Sequence, residues 1–415
     1  MRVPRKDDSL NDALEVLDEK FIIAQQTSKT DIESVRKAFE LLTTDESDFI
    51  DREIERCITD RRYFMENYYV IRDERGRMRT LWPFWDHQEI IYEVASIEWD
   101  EKGCIRLIIL KPRQAGSTTW NGALIFHATI FVPNSYSLVM AQDDRVSDEI
   151  YQRMMDAYHA LPWFMKPEYL SKQQGRQVIF QRSDEYQRTI DPGLGSTLHV
   201  SNAQKSTGVA IGRTVRNFLG SEVSRWPDAQ VWTADIKPSL NAPDMLGLIE
   251  STAYGRNGLY YNLWRAAEAG KSIWRALFIP VYKVRKYSIP VYKSDNFVLS
   301  PDEKILRRNV KLKDNFPIPL GFFKWRIRIF QVAPGRNHRD YQRHRIRRVP
   351  LRILSGNLGR SVYLVRVLRV PSPLPQRTGT ETLPRSPVDR RDRVQRAGQC
   401  TNIKTPQTST RRTAR

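Results

Sequence analysis

Residues 111–119, KPRQAGSTT, bring two cations, one glycine and three hydroxyls into a single short stretch. That set suits phosphate chemistry. Gly116 lets the backbone approach an anion, and N–H groups at a helix start point toward it. Lys111 or Arg113 supplies positive charge, and Thr118 offers a hydroxyl to Mg²⁺. The match to the regular phosphate loop is imperfect. Ser117 stands where a lysine is usual, and the pattern's first glycine is missing. An ordinary strand–turn–helix with solvated basic residues would read the same way.

Three other stretches carry possible chemistry, in chain order around this loop. Trp82-Pro-Phe-Trp-Asp-His-Gln88 comes first. Gln88 has the two-sided amide that pairs with an adenine edge, and Phe84 or Trp85 suits packing on its ring. A buried aromatic cluster with a surface glutamine is the plain alternative. Phe218-Leu-Gly-Ser-Glu222 is an apolar run ending in a carboxylate, where phosphoryl-transfer enzymes keep a water-activating Glu and a metal-holding acid. The usual Asp before that Glu is Ser221, which puts metal coordination from this strand in question. Leu248-Ile-Glu-Ser-Thr-Ala-Tyr-Gly255 ends a further apolar run in small hydroxyl residues, of which Ser251 or Thr252 could sense a terminal phosphate. Strand–turn sequences of this kind are also common without function.

The elements that must hold these residues are legible as periodicities. Ile105–Leu110 is a short apolar run, followed by a helical pattern over 120–130. Residues 135–141 form a second run, with a helical pattern through Tyr158. Further short runs lie at 178–181, 197–200, 215–220 and 245–250. Strands alternating with helices predict an α/β fold with a mostly parallel sheet covered on both faces. Ahead of it, Leu10, Leu14, Leu17 and Phe21, then Ile32, Val35, Phe39 and Leu42, fall at helical spacing. They predict an amphipathic pair serving as a lid or partner contact. No chemistry is evident there.

Taken in order, the motifs resemble the ATPase part of the large terminase subunit, the DNA-packaging motor of tailed bacteriophages. Gln88 stands as the family's glutamine motif. Arg113-Gln114-Ala115-Gly116-Ser117-Thr118 is similar to its degenerate Walker A loop. Residues 137–142 and the segment ending at Leu161-Pro162 fit the next strand and helix. Gly212-Arg213 precedes Ser221-Glu222-Val223 with Trp226 nearby, and Ser251-Thr252-Ala253 resembles the coupling motif. The resemblance spans about residues 60–325. It implies a P-loop NTPase fold for an ATPase domain over 61–325; spacing and composition add a helical N-terminal region over 1–60 and an irregular, Arg-rich tail over 326–415.

The resemblance also implies roles and ligands. ATP and Mg²⁺ would be the cofactors, with Gln88 selecting adenine. Lys111, Arg113, Gln114, Gly116, Ser117, Thr118 and Thr119 would bind the nucleotide, and Thr118 would hold the metal. Lys111 or Arg113 would act as a charge-stabilising finger. Glu222 would deprotonate the attacking water, and Ser251, Thr252 and Ala253 would couple hydrolysis to motion. Partners would be double-stranded DNA, a portal protein, a small terminase subunit and further copies in a ring, at the procapsid portal in the host cytoplasm. Two other readings stand beside it: a helicase-like DNA-dependent ATPase, and a catalytically dead DNA-binding remnant.

Composition sets the limits. The chain has 415 residues and a net charge of +19. Residues 1–320 hold 44 basic and 44 acidic side chains, so the whole excess lies in residues 321–415, with 23 basic and 4 acidic. A uniformly basic nucleic-acid coat is excluded. Cys57, Cys104 and Cys400 have no disulfide or zinc spacing, which points to a reducing compartment. The charged start of the chain is not a signal peptide, and no apolar stretch is long enough to span a bilayer.

Large terminases usually continue into a nuclease whose strands carry metal-binding acids. The tail offers only Asp340, Glu381, Asp389 and Asp392, and 21 of its 23 basic residues are Arg. Three readings compete for it. It is a basic DNA-binding arm, disordered and salt-sensitive, a frameshifted translation product in place of the nuclease, or an ordered domain of unrecognised type.

Overall fold

The computed structural model describes residues 3–324, apart from 173–174, 205–207, 228 and 293–296. The expectations for residues 326–415 lie outside the described residues.

Four helices open the chain: α1 (Ser9–Thr27), α2 (Asp31–Glu40), α3 (Thr44–Thr59) and α4 (Arg61–Asn67). Their starts are written in short polar side chains. Thr30 accepts from the Glu33 N–H, Thr43 and Glu46 form a reciprocal capping box, and Asp60 accepts from the Tyr63 N–H. The apolar stripe of α1 is buried at Leu10, Leu14 and Leu17. Trp163 anchors the pair to the body: its ring stacks on Phe21, meets Phe39 edge-on, and its Nε1 donates to the Leu17 carbonyl at 3.1 Å. Leu10 and Leu17 belong to the same apolar cluster as Ile105 and Leu107 of the sheet.

A small antiparallel hairpin, β1 (Val70–Arg72) with β2 (Met78–Thr80), leads to α5 (Asp86–Lys102). The main sheet then begins. Its strands are β3 (Ile105–Leu110), β4 (Tyr136–Ala141), β5 (Leu170–Lys172), β6 (Arg176–Phe180), β7 (Ser196–Asn202), β8 (Asn217–Gly220), β9 (Leu246–Ser251) and β10 (Arg275–Phe278). They lie in the order β10-β3-β9-β8-β4-β7-β6-β5. The first six in that order are parallel, and β6 and β5 close one edge antiparallel.

The connecting helices are α6 (Ser117–Phe131), α7 (Asp144–His159), α8 (Glu185–Ile190), α9 (Lys237–Ser239) and α10 (Gly258–Glu268), with α11 (Pro301–Asp314) beyond the sheet. The mostly parallel α/β sheet is the architecture that the alternation of runs predicts. Strand periodicity divides the core between two faces. Leu107, Ile109, Val139, Leu219 and Leu248 face one apolar cluster; Ile108, Leu138, Met140, Phe218 and Ile249 face the other. All ten are at most 0 % exposed, and side chains of this kind each contribute about 1.5–3 kcal/mol when fully buried. A third, smaller cluster of Tyr282, Leu306, Val310, Ile318, Phe322 and Phe323 holds the end of the described chain.

Among the described residues, no helix is long and apolar enough to cross a membrane.

Candidate nucleotide site

The 111–118 segment leaves β3 and enters α6 as a tight loop. Gln114 and Gly116 both take left-handed backbone angles, with φ of 50° and 72°. Gly116 is required twice over: its φ disfavours any side chain, and a Cβ there would sit 3.1 Å from the Trp85 ring. The loop is held from both sides. Gln88 accepts from the Trp85 N–H at 2.9 Å and donates to the Gly116 carbonyl at 3.4 Å. His87 Nε2 bonds the Ala115 carbonyl, and the Tyr287 hydroxyl donates to the Arg113 carbonyl.

The carboxylates come from the neighbouring strands. Glu222 follows β8 with φ 51° and ψ 43°, left-handed again, and begins a short 3-10 turn over Val223–Arg225. Its Oε1 lies 2.8 Å from Lys111 Nζ, an ion pair in which the lysine side chain is only 5 % exposed. Its Oε2 accepts from the Thr252 hydroxyl at 3.0 Å and the Thr252 N–H at 3.2 Å. Burial alone would push the Glu222 carboxyl up. The Lys111 charge and these hydrogen bonds outweigh burial and hold it below the usual range. Burial likewise works against the Lys111 ammonium, but Glu250 and Glu222 together raise it, so the lysine is charged.

Glu250, the fifth residue of β9, is wholly buried. The Thr118 hydroxyl donates to its Oε1, as does the Ser221 hydroxyl at 3.2 Å, and Asn121 Nδ2 donates to Oε2 at 2.8 Å. Burial raises its pKa, partly opposed by Lys111 and these donors. Ser251, next along the strand, donates to the Ser224 hydroxyl at 2.6 Å and accepts from the Ser224 N–H at 3.1 Å. The Ser224 hydroxyl in turn donates to the Thr252 carbonyl at 3.0 Å. The turn after Glu222 is thereby stitched to the end of β9.

The structure thus brings together Lys111, Thr118, Glu222, Ser251 and Thr252, as sequence order suggested. Ser117 is buried with its hydroxyl unpartnered. Thr119 lies beside Thr118 in a shallow hollow with Tyr69, Gly122 and Met154. Arg113, Gln114 and Ala253 are exposed at the rim. Gln88 is 4 % exposed, and both ends of its amide engage the Trp85 turn and the loop. Phe84 is buried against Trp120 and Tyr92.

Glu250, Asn121 and Ser224 are the members that sequence reading passed over. The signal for Glu250 was present: an acid inside an otherwise apolar strand is rarely buried without a partner that needs it. Asn121 and Ser224 had no such signal, because only the packing of α6 and the turn after β8 gives them a partner.

Fold and site together define a class: a parallel α/β sheet in which one strand ends in an anion-ready loop and its neighbours present carboxylates and hydroxyls to that loop. Among solved structures, the chain is similar to the ATPase domain of the large terminase of Thermus phage P74-26, at 16 % identity and a TM-score of 0.36, covering 50 % of this chain and 82 % of that one. A variant of the same domain matches at 15 % and 0.37, covering 52 % and 87 %. The large terminase of bacteriophage HK97 matches at 14 % and 0.42, covering 73 % of this chain and 53 % of that one. No family model matches the chain, and no curated protein does.

Proposed function

We propose that the chain is an ATP-hydrolysing motor subunit that moves viral double-stranded DNA into a procapsid, without an intact nuclease half. The observation that carries this reading is the carboxylate of Glu222, bonded at once to Lys111 of the phosphate loop and to Thr252 of the coupling motif. Base, phosphate-binding cation and coupling residue form one hydrogen-bonded unit.

The donors around Thr118 are hydroxyl, amide and carboxylate, a hard oxygen set that fits Mg²⁺. Thr118 would hold the ion, which would neutralise charge on the phosphates. The remaining work falls to the chain. The N–H groups at the start of α6 and the Lys111 ammonium bind the phosphate oxygens. Lys111 then exchanges Glu222 for the nucleotide. That exchange removes the strongest influence holding the Glu222 carboxyl down, so its basicity rises when a water needs deprotonating. Thr252 keeps the carboxylate aimed and transmits its displacement to β9. Arg113, at the exposed rim, supplies the finger. DNA, a portal protein, a small terminase subunit and a ring of further copies complete the proposal, placed at the procapsid portal in the host cytoplasm.

The test is Glu222→Gln. ATP binding should be retained while hydrolysis falls by about 10²-fold or more, as for loss of a general base. Near wild-type turnover in that variant overturns the assignment.

A further inference from the structure

We infer that Glu250 supplies the metal-holding carboxylate that position 221 lacks, so that the Mg²⁺ of the nucleotide is held from β9 instead of β8. The inference rests on the ATPase reading and adds a residue to it. In nucleotide-hydrolysing loops of this kind the metal is shared between the loop hydroxyl and an acid just before the water-activating Glu. Here that acid is Ser221.

The sheet register shows where a replacement can stand. β8 and β9 are parallel, with Gly220 opposite Ile249. Ser221 and Glu250 are the residues that follow this last pair, and the Ser221 hydroxyl donates to the Glu250 carboxylate at 3.2 Å. The oxygen that Ser221 contacts is also the one that Thr118 contacts. The loop hydroxyl expected to bind the metal therefore touches a carboxylate, and that carboxylate is one strand away from its usual place.

The energetics of this position suit a cation. Glu250 is 0 % exposed, and a buried carboxylate is costly unless a charge offsets it. Among the described residues it has no ion pair of its own: the charge of Lys111 reaches it, but the lysine is bonded to Glu222. Two carboxylates share one lysine. A second observation is independent of the acid itself: three buried polar atoms nearby have no partner. They are Asn121 Oδ1, on a residue bonded to Glu250, Ser117 Oγ, beside Thr118, and the hydroxyl of Tyr260, which senses the charges of Glu250 and Glu222. Buried polar atoms are normally satisfied, and a free amide oxygen on the residue that bonds Glu250 suits a hydrated ion.

The experiment measures binding of a fluorescent ATP analogue, mant-ATP, to the full chain in EDTA and in saturating Mg²⁺, with Mn²⁺ binding followed by electron paramagnetic resonance. In the wild type Mg²⁺ should tighten mant-ATP binding. Glu250→Gln keeps the size of the side chain and should not weaken binding in EDTA. It should lose about 10- to 100-fold of the metal-dependent tightening and of Mn²⁺ affinity, as removal of a metal-site partner does. Ser221→Asp/Glu250→Gln returns the acid to β8 and should recover most of both. If Glu250→Gln keeps the wild-type metal dependence, or loses affinity equally in EDTA, Glu250 is a scaffold residue and the inference is wrong. If the wild type binds no mant-ATP under either condition, the ATPase reading itself fails and takes the inference with it.

Discussion

Lys111 Nζ and Glu222 Oε1 meet at 2.8 Å although their strands, β3 and β8, share no hydrogen bond; β9 runs between them. The pair spans a strand, and Glu250 on that intervening strand adds to the field on the same lysine. Removing Lys111 leaves two acids without their cation. Lys111→Met should destabilise the fold by about 3 kcal/mol, the cost of stranding a buried charge. Lys111→Met/Glu222→Gln should be destabilised less than the sum of its single variants, with a coupling of about 1 kcal/mol or more. Urea unfolding of the four proteins gives the cycle. Strict additivity would show that the contact does not contribute to stability.

Thr252 makes two bonds to the same Glu222 oxygen, one from the hydroxyl and one from the backbone N–H. Thr252→Val removes only the first. If Thr252 acts by aiming the carboxylate, ATP turnover should fall about 10-fold while KM and nucleotide affinity stay near wild type, since the loss is confined to the transition state. A raised KM at unchanged kcat would assign Thr252 to substrate binding instead.

His127 on α6 lies in the core below the site, its ring against Phe64 and Phe131 and its Nε2 2.7 Å from the Cys57 carbonyl. Burial drives its pKa down from 6.5 to about 4, against the opposing pull of that hydrogen bond. The unfolded chain therefore takes up a proton below 6.5 that the folded chain refuses until about 4. Stability from this group is complete above pH 6.5 and declines as pH falls through that window, by at most about 3 kcal/mol. His127→Gln should flatten the dependence of the urea midpoint between pH 6.5 and 4. An unchanged slope would place the titration elsewhere.

The tail calls for a genetic measurement. Translating the gene in its two other frames from about residue 325 distinguishes the readings. A strand-rich sequence with spaced acids in one of them identifies residues 326–415 as a frameshift product. Two closed frames favour a basic DNA-binding arm, and binding should then weaken steeply with salt.

The strands and helices around the site were legible because their signals are local. Ile105–Leu110 is bounded by Gly103 and Pro112, and its five apolar residues, interrupted only by Arg106, coincide with β3. The run at 245–250 sits one residue from β9, and the helical pattern at 120–130 lies inside α6. The short edge strands β5 and β10 were not legible. Leu170–Lys172 and Arg275–Phe278 have only three and four residues, too few to show a period, and they are strands because a neighbour pairs with them. The site divides the same way. Lys111, Thr118 and Glu222 follow from motifs, each set within a few residues. Asn121 and Ser224 depend on partners 129 and 27 residues away along the chain, which periodicity does not encode. Glu250 is the intermediate case, visible as an anomaly in its strand but interpretable only once Thr118 and Ser221 stand beside it.

The sheet order has a consequence for how the chain matures on the ribosome. Among the described residues β3 pairs with β9 and β10 alone, and both follow it by more than a hundred residues. When β4, β7 and β8 have emerged, the strand that carries the phosphate loop still has no partner. At about 5–20 residues per second, roughly 6 to 26 seconds of synthesis separate the loop from β9. Only when residues 246–251 have emerged can the strand between β3 and β8 form, with Glu250 and Ser251 on it and Thr252 just after it. The candidate site is thus completed only after β9 has emerged, and a shorter nascent chain carries the 111–118 loop without Glu250, Ser251 and Thr252.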